Sequence, residues 1–328
     1  MREGLFIRRN LEKWKKYQYM RSTDPDEIAS EFTELVDDLG YAKSFYPQSK
    51  VTQYLNGLAS ESYLGIFSNK KEETSRIYRF WRSELPLVVR RHHRKILFSF
   101  LIFVGFAIFS AFSAAHDESF IRGVLGNGYV EMTEDNIAKG DPFGVYKNDN
   151  QLHMFLKIAL HNVTIAFVIF VAGLLASLGT VWLLFRNGVM LGAFQYYFFT
   201  KGLGLKSILV IWIHGTMEIS AIIIAGAAGL ILGNSLLFPG TYTRLTSVKA
   251  GAKDGLKLMI GLVPIFIAAA FLEGFVTRYA QMPAWLSIMI LAASLTFIIW
   301  YFVLYPIRLQ NSVTKSPGQT FMLESYED

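Results

Sequence analysis

From Ile158 to Tyr305 the chain holds only three acidic residues, Glu218, Asp254 and Glu273, among runs of apolar side chains. No other feature limits the fold so tightly. Several of these runs approach or exceed the roughly 20 apolar residues that cross a hydrocarbon core about 30 Å thick. In hydrocarbon every backbone polar group needs an internal partner, and a helix supplies one within the segment. The expected fold is therefore an all-α, polytopic membrane helix bundle. Charged residues make up 18% of the chain, and they gather outside these runs.

The first expected span is Ile96–Ala115, entered from the basic run Arg90–Lys95. Lys and Arg collect on the cytoplasmic side of membrane proteins, so this run predicts a cytoplasmic N-terminus. The net charge of +6 is read the same way and not as a nucleic-acid footprint. The paired His92 and His93 belong to this basic flank, because neighbouring helix residues do not share a face. The start of the chain is basic and has no apolar core followed by a small-residue cleavage site, so it does not read as a secretory signal peptide. There is no cysteine, which excludes disulfides and thiolate metal sites.

Three regions follow: residues 1–94 as a cytoplasmic helical region, 95–307 as the transmembrane bundle, and 308–328 as a polar tail. In the first, Asp24 and Pro25 mark a helix start, and Ile28, Phe32, Leu35, Val36 and Leu39 recur at helical spacing. Residues 116–157 form an acidic, structured loop that fits the external side. The next spans are expected at Ile158–Phe185, Ser207–Gly233, Leu256–Thr277 and Ala284–Ile307. A short apolar stretch at 187–200 reads either as a re-entrant helix or as a sixth crossing. The basic loop Leu236–Gly255 prefers the cytoplasm, which favours six segments over five.

His214 and Glu218 stand four residues apart, so they share one helix face. Ala221, Ala225, Gly229 and Gly233 continue the same stripe at the spacing that lets helices approach closely. The pair thus points into the bundle, since a charge facing lipid at mid-membrane costs about 2.5–3.5 kcal/mol even on a lenient scale. The stripe packs either within one chain or across a homodimer. Glu273, with Asn162 and Asn187, completes a candidate intramembrane polar site, while Gly215 and Pro264 are candidate helix breaks. The bland readings are an interfacial Glu273 and a buried His–Glu pair that only orients helices. The sharper ones are a proton- or ion-handling site, or zinc held by His214, Glu218 and Glu273. Neither a nucleophile with a paired base nor a phosphate-cradling glycine loop is visible, so no catalytic residue and no required cofactor is assigned.

At these residues the chain resembles the stage II sporulation protein M family of bacterial membrane proteins. The matching stretches are "HNVTIAFVIFVAGLL" from His161, "RNGVMLGAF" from Arg186, "IHGTMEISAIIIAGAAGLILG" from Ile213 and "FLEGFVT" from Phe271. Asn162, Asn187, His214, Gly215, Glu218, Glu273 and Thr277 fit the family pattern. Arg278 stands where many relatives carry proline, and the N-terminal region is longer than that of the sporulation protein. The resemblance implies a non-enzymatic scaffold in the bacterial inner membrane, acting in envelope or cell-wall remodelling. Its expected partners are membrane lipid and other membrane or envelope proteins, with no nucleic acid. The alternatives are a transporter or channel using the His/Glu site, and a metal-dependent intramembrane hydrolase.

Overall fold

A computed structural model describes residues 2–19, 24–68, 75–144, 150–277 and 282–315. Arg278 and the end of the polar tail lie outside the described residues. The chain divides into two compact units, Met1–Tyr78 and Arg79–Asp328.

The first unit is built on three helices: α1 (Glu3–Tyr19), α2 (Pro25–Phe45) and α3 (Lys50–Ser68). Asp24 caps α2 by accepting a hydrogen bond from the Asp26 amide at 2.9 Å, with Pro25 in the first turn. Phe6, Trp14, Tyr17, Leu35, Ala42, Leu55 and Leu58 form its core. The polar atoms of the large aromatics find acids at the rim. Trp14 Nε1 donates to Asp38 at 2.8 Å and Tyr17 OH to Glu34 at 2.8 Å. Val36 points outward and is 43% exposed, so the buried stripe of α2 runs through Leu35 and Ala42.

The second unit begins in α4 (Ser75–Arg79), whose first residues belong to unit one, and continues through a π-helical turn at Phe80–Glu84 into α5 (Leu85–Arg91). Next come α6 (His93–His116), α7 (Glu118–Leu125), α8 (Asn127–Ala138) and α9 (Gln151–Val171). The bundle is completed by α10 (Leu178–Thr200), α11 (Gly204–Leu237), α12 (Arg244–Phe271), α13 (Ala284–Ile299) and α14 (Tyr305–Lys315). Among the described residues five helical stretches are long and apolar enough to cross a membrane: His93–His116, Gln151–Leu174, Gly204–Leu237, Arg244–Val276 and Ala284–Ser312.

The expected span Ile158–Phe185 is not one helix. The chain leaves α9 through a 3-10 turn at Ala172–Leu174, and Ala176 and Ser177 take left-handed backbone angles (φ 53° and 66°). It restarts as α10, a continuous 23-residue helix about 34 Å long, which absorbs the 187–200 stretch. Nothing in "AGLLASLGT" announces a turn, because an alanine and a serine occupy the positions glycine would normally fill. Tertiary packing holds it instead. A Cβ on Gly173 would collide with the Gly229 backbone, and one on Gly233 with Ser177, so these glycines let the turn lie directly against α11.

α10 runs parallel to α6. Gly188 lies against the Phe103 carbonyl, Gly192 against Ala107, and Ser110 Oγ donates to the Val189 carbonyl at 2.6 Å. Its start therefore sits at the same end of the bundle as Lys95, which donates to Asn234 at 2.7 Å. Its other end meets the α7–α8 excursion, where Lys201 pairs with Glu134 at 2.7 Å. Among the described residues six helices thus run from one end of the bundle to the other.

α11 is the centre. It packs against α6, α9, α10, α12 and α13, and every residue from Ala221 to Gly233 is buried. The small-residue stripe is used within the chain: Gly229 meets Ile169 and Thr180, and Gly226 meets Ser99 and Leu184. The two candidate breaks lie inside unbroken helix, Gly215 in α11 and Pro264 in α12. In an apolar surrounding the cost of opening a backbone hydrogen bond keeps α11 helical through Gly215, and Pro264 lies on the exposed side of α12.

Candidate functional site

α12 does not end as an α-helix. After Phe271 it widens into a π-helical turn, Leu272–Val276, closed by the Thr277 amide donating to the Leu272 carbonyl at 2.8 Å. A π turn inserts one residue and re-aims the side chains beyond it, and such turns are frequent at functional sites. Here it directs Glu273 and Thr277 toward α11. Gly274 permits the approach on the other side, since a Cβ there would press on the Phe155 backbone of α9 at 3.3 Å.

Three helices then converge. α11 contributes His214 and Glu218 from one face, one turn apart, about 15 Å from its start at Gly204. The π turn contributes Glu273. A ligand atom from each of the three lies within 4.8 Å of the others, with His214 buried and both glutamates partly buried. His214 Nε2 is 3.9 Å from Glu273 Oε2. α9 brings Asn162, which is 7% exposed and whose amide faces the Glu218 carboxyl. Among the described residues its nitrogen Nδ2 has no partner at full hydrogen-bond geometry.

A hydroxyl holds one side of the imidazole. Thr277 Oγ1 lies 3.0 Å from His214 Nδ1 and 3.1 Å from the Leu272 carbonyl, which also accepts from the Thr277 amide at 2.8 Å. The hydroxyl can donate to Nδ1 or accept from it, and in either case it anchors that nitrogen. The opposite nitrogen, Nε2, faces the glutamates. Fixing one ring nitrogen so that the other is presented with a set direction is the usual outer-shell arrangement around a working histidine.

Asn187, on α10, has its Nδ2 donating to the Leu183 carbonyl at 2.8 Å, one turn back on its own helix. Thr277, by contrast, proves to be the residue that orients His214. Its sequence signals are its fit to the family pattern and its place one turn beyond Glu273; the π turn itself has no marker in "FLEGFVT". A cavity of about 160 Å³ adjoins the site, lined by Lys206, Val210, Ile213, Val276, Thr277 and Ser287. On the other side lies the apolar core of Ala221, Ala225, Ala228, Phe170, Leu258, Met259 and Leu262.

A bundle of apolar helices running end to end around a buried ionisable cluster defines a multi-pass membrane protein with an internal polar site. The stage II sporulation protein M family matches residues 99–278, just over half of the chain, and the chain belongs to that family. Residues 4–68, which fall in the first unit, match a separate domain of unknown function, DUF8413. No curated protein and no solved structure matches the chain.

Proposed function

We propose that this protein is a non-enzymatic scaffold or assembly factor of the bacterial inner membrane, serving envelope or cell-wall remodelling, with its N-terminal unit on the cytoplasmic side. The observation that carries this reading is the unbroken burial of α11 from Ala221 to Gly233. Half of the central helix is locked by backbone-to-backbone contacts with the 172–177 turn and α9. A bundle of this kind suits a rigid platform. The first unit has its own core and matches its own family, as a docking module would. The cytoplasmic placement follows from Arg90–Lys95 and the basic residues Arg244, Lys249 and Lys253, which share one end of the bundle.

A transporter is the second reading, favoured by the convergence of His214, Glu218 and Glu273 beside a cavity. One experiment separates the two. The full chain and a chain lacking residues 2–68 are affinity-purified from membranes, and co-purifying proteins are compared. The scaffold reading predicts loss of a specific set of partners. An unchanged set, together with cation flux in proteoliposomes that Glu218→Gln abolishes, would replace it with transport.

A further inference from the structure

The geometry points to a divalent transition-metal site, zinc or manganese in class, at mid-bundle, with His214 Nε2, Glu218 and Glu273 as its ligands and Asn162 and Thr277 as their supports. The ligand set has the right chemistry. One imidazole and two carboxylates suit Zn²⁺ or Mn²⁺ and not the soft ions that need sulfur. Charge favours it as well. Two carboxylates close together in an apolar surrounding repel each other, and a dication with a neutral histidine makes the group neutral overall.

The geometry is close to what a metal needs. Bonds of about 2.0–2.2 Å set tetrahedral ligands roughly 3.4 Å apart. The His214–Glu273 approach is already 3.9 Å, and all three ligand atoms lie within 4.8 Å. Side-chain rotation closes the remainder. The i, i+4 pair on one helix is a familiar way to offer two ligands from a single face.

Two further observations point outward from the cluster toward a bound group. The Thr277 hydroxyl holds Nδ1 at 3.0 Å, which turns Nε2 toward the carboxylates, 3.9 Å from Glu273 Oε2. Asn162, only 7% exposed, places its amide against Glu218, and among the described residues its Nδ2 has no partner at full hydrogen-bond geometry. Three protein ligands leave a fourth position open, and a water held there gives that nitrogen its acceptor. Such an ion would pin α9, α11 and the π turn together. The site is therefore separate from the question of partners, and its test does not depend on the scaffold reading.

The test uses the untagged full chain in detergent. Metal content is measured by inductively coupled plasma mass spectrometry. The protein is then stripped with chelator and titrated with Zn²⁺ and with Mn²⁺ while the thermal midpoint is followed. The expected result is one equivalent of metal per chain and a midpoint that rises on reloading. Both effects should be lost in His214→Ala and in Glu273→Gln and kept in His92→Ala, which alters a different histidine–acid pair, His92 with Asp254. Should these variants fail to fold, X-ray absorption on the wild-type protein still decides, with one imidazole and otherwise oxygen ligands expected. A protein that binds neither ion after stripping would overturn the proposal and leave a shared proton to neutralise the cluster. Metal retained by both variants, or a spectrum with several imidazoles, would mark an adventitious ion only and overturn it equally.

Discussion

The two halves of α11 solve opposite problems. From Ala221 to Gly233 the helix is wholly buried, and its glycines bring backbone against backbone at Gly173, Ile169 and Ser177. From Ser207 to Ser220 the same helix carries a histidine and a glutamate, borders a cavity, and is only partly buried along much of its length. Gly215 belongs to the looser half: a Cβ there would meet nothing nearer than Ile219 Cδ1 at 3.8 Å. The same residue type is thus a packing necessity at Gly229 and not at Gly215. Small residues on a membrane helix mark close packing only where another backbone reaches them.

The comparison is most exposed to failure at Gly229. Gly229→Val drives a side chain into the Ile169 carbonyl and Thr180, and overpacking of that kind costs about 3 kcal/mol or more. Loss of monodisperse protein on size exclusion is the expected outcome. A well-behaved Gly229→Val protein would show that the locked half is looser than described. Next in size is Thr277→Val, which strips the buried His214 Nδ1 of its hydroxyl partner and should destabilise by about 1–3 kcal/mol. Thr277→Ser should recover most of the loss, as read from thermal midpoints of the two variants.

Gly215→Ala has the opposite sign. With space for the methyl group and an unbroken helix around it, the substitution should stabilise by about 0.5–1 kcal/mol. A large loss of stability there would erase the distinction between the halves. The smallest effect lies outside the membrane segments. The Lys201 ammonium, with Arg122 nearby, holds the Glu134 carboxyl below its usual pKa. Its contribution is full above the ordinary carboxylate value of about 4.3 and fades as the pH falls through the lowered folded value. Lys201→Met should remove this pH dependence, seen as a flatter midpoint profile under acid conditions.

The helical membrane class was legible because long apolar runs leave the backbone few alternatives, and the α2 start was legible because Asp24–Pro25 is local chemistry. The inward direction of His214 and Glu218 could be read from the stripe they share with Ala221 and Gly229. What could not be read depends on contacts far along the chain. The turn at 172–177 uses Ala176 and Ser177 in backbone angles that α11 enforces from more than fifty residues away. The π turn at Leu272–Val276 looks like ordinary helix in one dimension, yet it aims Glu273 and Thr277 at α11. Asn187 was legible as a polar residue in an apolar run, but the sequence could not show that its own helix supplies a carbonyl for its amide.

The central claim is that side chains from α11 and from the π turn meet inside the bundle. The chain has no cysteine, so pairs can be introduced without interference. Glu218→Cys combined with Glu273→Cys, treated in native membranes with Cd²⁺ or a short bifunctional thiol reagent, measures the approach directly after cleavage in the 238–243 loop. The account predicts that the two fragments stay joined in the double variant and separate in either single one. Cysteines that each react with a monofunctional thiol label yet never bridge would contradict it.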